Sequence, residues 1–213
     1  GGVIQAPAQS GGGGILNDGA ILTVSESTIT ANSAQTDTGN NVGGGILNDH
    51  GGTLALLDSI VSQNSVDGGG GAVANVRGST ALIERSTLSG NSTTQNAGGA
   101  VVNYGWSTPV TFTIRDSFLL NNNSASHGGA INNTGEMLLV NTELAGNRAE
   151  GSGGAIQSGS YGEDGLATLT IQGSQIIDNV AHQWGGAVNN WSALTIQDSQ
   201  LLRNTAELAN GGG

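Results

Sequence analysis

The sequence predicts an all-β protein, a right-handed parallel β-helix (β-solenoid) of about seven coils of three short strands, forming a single domain over residues 1–213. Three observations predict it. Residues 185–206, GGAVNNWSALTIQDSQLLRNTA, recur in close copies along the chain. Inside each copy apolar and polar residues alternate with period two over short runs, which is the pattern of a half-buried strand and not of a helix. Every copy also ends in asparagine: Asn32, Asn64, Asn91, Asn122, Asn147, Asn179 and Asn204.

The first strand is rich in glycine, from Gly13-Gly14-Ile15 to Gly186-Ala187-Val188, and two residues beyond it stands Asn17, Asn48, Asn75, Asn103, Asn133, Ser158 or Asn190. The second strand carries inward pairs such as Leu22 and Val24, Ile83 with Ala81, and Leu194 with Ile196. The third carries a hydroxyl (Ser27, Ser59, Ser86, Ser117, Thr142, Ser174, Ser199) and then an aliphatic residue (Ile29, Val61, Leu88, Leu119, Leu144, Ile176, Leu201). Between Ile196 and Ser199, and between Leu201 and Asn204, the spacing becomes odd. The inward phase survives only if the backbone bends at Gln197-Asp198 and again near Leu202-Arg203.

At such a bend the backbone loses regular partners, so a column of inward asparagines implies a ladder bonding both the turn and the next asparagine along the axis. From Asn32 to Asn204 is 172 residues over six intervals, about 29 per coil. Coils about 4.8 Å apart give a rod about 34 Å long, and the handedness of parallel crossovers makes it right-handed. Three stretches of variable length, at residues 35–41, 104–109 and 158–165, fall at bends, where insertions leave the stack intact.

Composition agrees. Glycine is abundant at 38 residues, yet there is no G-X-Y period and only 2 prolines, so neither collagen nor a disordered chain is indicated. The net charge of −11, with five arginines and no lysine, repels phosphate backbones and excludes nucleic acid as a partner. Cysteine is absent, so stability rests on stacking; this fits an exported protein without disulfides. No apolar run is long enough for a membrane-spanning helix, so no membrane insertion is expected. The start at Gly1 reads as a processed or excised product.

The glycine strand Gly128-Gly129-Ala130-Ile131, with the aliphatic-x-x-Asn element Ile29-Thr30-Ala31-Asn32, resembles the GGAI and FxxN repeats of chlamydial polymorphic outer-membrane proteins and related bacterial surface β-helices. The resemblance runs over nearly the whole chain, with an aliphatic residue in place of the Phe. It implies a pectin-lyase-like fold and an extracellular or cell-surface protein used for adhesion or as a stalk.

For function, the leading expectation is a non-enzymatic structural or adhesive rod that associates with itself, head to tail and laterally. Both chain ends resemble the glycine strand, as in a window of a longer solenoid or a subunit of a filament. A lateral contact is expected at Phe118, Leu120, Ile177 and Leu202, where an outward column turns apolar. The alternative is a β-helix that binds or cleaves polysaccharide. Tyr104, Trp106, Tyr161 and Trp191 follow the first asparagine column on one edge and suit contact with cell-surface glycans or with another subunit. The acidic bend column Glu26, Asp58, Arg85, Asp116, Asn141, Gly173 and Asp198 is the nearest approach to a catalytic array, but it is interrupted, so no catalytic residue is assigned. Glu163 and Asp164 are the nearest approach to a calcium site, without the repeated calcium signature. His50, His127 and His182 form no metal pair, and no cofactor is expected.

Overall fold

The computed structural model describes residues 3–4, 11–35, 41–105, 108–159 and 167–208, and among them every regular element is a β-strand. The strands pair in parallel, level on level, into four sheets along the rod, three of seven strands and one of eight. One level reads Val73–Val76, Thr80–Glu84, Thr87–Ser89 and Ser92–Thr93. The coil therefore has four walls where the sequence pattern showed three. The fourth is a two-residue strand directly after the ladder asparagine, too short to display an alternation. Its inward positions Val66, Thr93, Ser124, Ala149 and Ala181 are small and buried.

Two of the corners are made by single residues in the left-handed region. Glu26, Asp58, Arg85, Asp116, Asn141, Gly173 and Asp198 have φ of 47° to 59°, and Ala31, Gln63, Gly90, Asn121, Gly146, Asp178 and Arg203 have φ of 54° to 65°. One such residue turns the chain without a loop and shifts the side-chain phase by one, as the odd spacings require. The glycine pair has two separate causes. Gly128 sits at φ 63°, whereas a Cβ on Gly129 would collide with the Gly154 carbonyl of the next level and the backbone of Arg148 across the coil.

One apolar core threads the levels from Val24 to Ile176 and includes Ile46, Ile83, Leu88, Phe112, Met137 and Leu144. Polar side chains line its corners. Asn91 Oδ1 accepts from the Asn64 backbone N–H at 3.0 Å and from Asn64 Nδ2 at 3.1 Å, while Asn91 Nδ2 donates to the Val61 carbonyl and to Asn122 Oδ1, both at 3.0 Å. The same bonding links Asn32 through Asn204. At the preceding corner Ser59 Oγ accepts from the Ser27 N–H and donates to the Leu57 carbonyl, and Ser86 and Ser174 repeat this. A third ladder runs from Asn17 through Asn48, Asn75 and Asn103 to Asn133. Serine interrupts it: Asn133 Nδ2 reaches Ser158 Oγ at 3.4 Å, and beyond it Asn190 Oδ1 is buried with no partner.

Two substitutions test these ladders. Asn91→Ala strands the Asn64 amide and the Val61 carbonyl in the interior. At about 1 to 3 kcal/mol per orphaned group it should cost about 3 kcal/mol or more in urea unfolding, and a loss under about 1 kcal/mol would mean the ladder is incidental. Ser158→Asn places an amide between Asn133 and Asn190 and should stabilise by about 1 kcal/mol; a lower unfolding midpoint would show the corner has no room for it.

Candidate functional site

The acidic bend column is a consequence of backbone conformation before it is anything chemical. Asp, Asn and Gly tolerate the left-handed region, and they supply five of its seven positions. Its charges pair along the axis. Arg85 donates to Asp58 through Nε at 2.7 Å and Nη2 at 2.8 Å and also pairs with Glu84, which accepts from Arg115 at 2.7 Å; Asp116 accepts from Asn141 Nδ2 at 3.1 Å. Arg85 beside it holds the Asp58 carboxyl below the usual carboxylate range. Arg203 does the same to Asp178, and Arg148, followed by His182, to Glu207. A general acid needs the opposite shift.

The apolar column of the third strand is in register, Leu120 beside Ala145, Ala145 beside Ile177 and Ile177 beside Leu202. Phe118 and Leu202 are exposed, Leu120 and Ile177 half-buried. The stripe is narrow, because Phe118 is followed along its own column by Glu143 and Gln175.

The outward face of the glycine sheet changes character along the rod. Its floor reads Leu16, Leu47, Ala74, Val102, Asn132, Gln157 and Asn189 in register. Over the earlier levels the floor is apolar, and Val42 and Tyr104 pack onto the cluster of Leu47, Ala74, Val76 and Val102. Tyr104 thus covers an apolar wall, and burial pushes its phenol above the ordinary value of 10.0. Trp106 and Tyr161 lie outside the described residues, as do Glu163 and Asp164.

From Asn132 onward the floor is made of amides, Asn132 and Gln157 buried and Asn189 half-buried. A groove of about 490 Å³ runs over it, lined by His127, Ser152 and Trp184 on one lip and Gly159 and Trp191 on the other. Trp184 is 55% and Trp191 46% exposed. Asn189 Nδ2 donates to Gln157 Oε1 at 2.8 Å, and Gln157 Nε2 to the Gly159 carbonyl at 3.0 Å. Asn132 Oδ1 and Ser152 Oγ are buried without a hydrogen-bond partner. His127 Nδ1 accepts from the Ser152 N–H at 3.0 Å, which leaves the ring proton on Nε2, and burial lowers its pKa from the ordinary 6.5. The sequence pattern pointed to Trp191 on this edge but not to Trp184 or the amide floor. The available signal was the outward position of the glycine strand, apolar in four copies and amide in three.

Among the described residues no group of three or more His, Cys, Asp or Glu side chains is arranged to hold a metal ion. No protein-family model, curated protein or solved structure matches the chain.

These shifts set an acid dependence. Asp58, Asp178 and Glu207 are depressed in the fold, so their contribution is present above the ordinary 3.8 (Asp) and 4.5 (Glu) and is lost as pH falls through the folded values. His127, depressed from 6.5, acts earlier: its contribution is complete above that value and declines below it. The urea midpoint should therefore fall in two stages on acidification, and His127→Gln should remove only the first. A first stage unchanged in that variant would assign it elsewhere.

Proposed function

We propose that this chain is a non-enzymatic structural and adhesive β-solenoid, displayed outside the cell, that stacks head to tail with further copies of itself. The observation that carries the reading is the rung of residues 188–206. In the interior levels the inward residues of the second and third strands are fully buried, whereas here Ile196 and Leu201 are each 41% exposed. Its strands Val188–Asn190, Ala193–Gln197, Gln200–Leu202 and Thr205–Ala206 pair on one side only among the described residues. Such an edge presents unpaired backbone groups in the spacing that a further level of the same repeat satisfies, and a level supplied by another copy would do so. Repeating that contact is heterologous and open, and it builds a filament. The narrow column of Leu120, Ile177 and Leu202, with Phe118, is the place for a lateral contact between rods.

Support for a non-catalytic role comes from the carboxylates of the bend column, whose positions follow from backbone geometry and among which Asp58 is held ionised by Arg85. The resemblance of the repeat to chlamydial and related surface β-helices supports display outside the cell.

The test is assembly against concentration, by sedimentation and negative-stain microscopy. The unmodified chain should form rods that lengthen with concentration, and Ile196→Lys with Leu201→Lys should hold it as a monomer. A chain that stays monomeric at high concentration overturns the stacking.

A further inference from the structure

The geometry points to a binding site for a neutral oligosaccharide in the groove over Asn132, Gln157 and Asn189, between Trp184 and Trp191. This site lies on a lateral face of the rod, although Asn189 and Trp191 belong to the rung at which stacking is proposed.

Four features carry the assignment. The groove has an indole on each lip, Trp184 and Trp191, in a protein with only 3 tryptophans. Half-exposed indoles offer flat apolar faces that match the C–H faces of a pyranose ring. The floor is built of amides, each of which both donates and accepts, and sugar hydroxyls do the same.

The floor is also incompletely satisfied. Asn132 is 8% and Ser152 2% exposed, and Asn132 Oδ1 and Ser152 Oγ carry no partner. Such groups cost stability in the free protein and are relieved when a hydroxyl-bearing ligand supplies the missing bonds. Gln157 and Asn189, by contrast, are held in position by their mutual bond and by the Gly159 carbonyl. Finally, among the described residues the lining carries no ionised side chain: His127 is its sole titratable member, and burial favours its neutral form. A net charge of −11 and a lining without arginine disfavour an acidic glycan, so the ligand is neutral.

Levels repeat about every 4.8 Å, so the three-level floor is long enough for a short run of sugar rings and not for a single ion. The apolar stretch of the same face, covered by Val42 and Tyr104, closes one end. A chain of sugars would lie along the rod, from Asn132 toward Asn189.

The experiment is a titration of the whole chain with cello-, xylo-, manno-, malto- and chito-oligosaccharides, and with oligogalacturonate as the acidic comparison, read by tryptophan fluorescence and calorimetry. At least one neutral class should bind saturably, and more tightly than oligogalacturonate. Trp184→Ala should weaken that binding about tenfold or more, with Trp184→Phe intermediate. Asn132→Ala removes an acceptor the free fold does not use, so it should weaken binding while leaving the unfolding midpoint unchanged or raised; this variant carries the test if Trp184→Ala fails to fold. No saturable signal from any neutral class, tighter binding of oligogalacturonate, or binding indifferent to both variants overturns the assignment. Assembly measured in the same samples keeps this outcome separate from that of stacking.

Discussion

The structure depends on side chains that bond to the level beside their own. A parallel stack supplies backbone hydrogen bonds along its walls, but at each corner the regular pairing breaks and amides and carbonyls turn toward the interior. Asn91 answers this with four bonds reaching both neighbouring levels, and at the corner before it the Ser59 hydroxyl accepts from the level before and donates within its own. Because the asparagine bonds join residues about one coil apart in sequence, the ladders bind level to level as the core does. The aliphatic core supplies most of the driving force, and the ladders make only one register acceptable.

Corner geometry then dictates composition that looks functional. A left-handed residue is needed at the two corners flanking the third strand of every coil, and Asp, Asn and Gly meet that need most cheaply. The acidic column therefore arises from conformation, and arginines at neighbouring positions neutralise part of it. Asp58 with Arg85 and Asp178 with Arg203 follow this arrangement at the two corners.

Function is left to the faces that stacking does not constrain. The outward positions of the glycine sheet are free to vary, and they do: Leu47, Ala74 and Val102 take a packed cover, while Asn132, Gln157 and Asn189 line a groove with two indoles. The fold itself is indifferent to this switch, because the inward residues Ile46, Val73, Val101, Ile131 and Ile156 are unchanged in character across it. A rod with a constant interior and a variable wall suits the proposed adhesive role.

Much of this was legible in the sequence, since a repeat states each structural demand several times over. The inward aliphatic columns, the asparagine ladder and the two corners at Asp198 and Arg203 follow from spacing alone, because side-chain phase in a strand admits two faces and an odd interval forces a bend. Other features needed the folded chain. The fourth wall at Ser92–Thr93 is shorter than any alternation. Tyr104 and Trp191 occupy the same column in sequence, yet one covers an apolar floor and the other borders an amide floor. Trp184 reaches that groove from the opposite lip. Period and phase are local properties and can be read along a chain; what a side chain meets across a sheet depends on neighbours about one coil away, and only packing decides that.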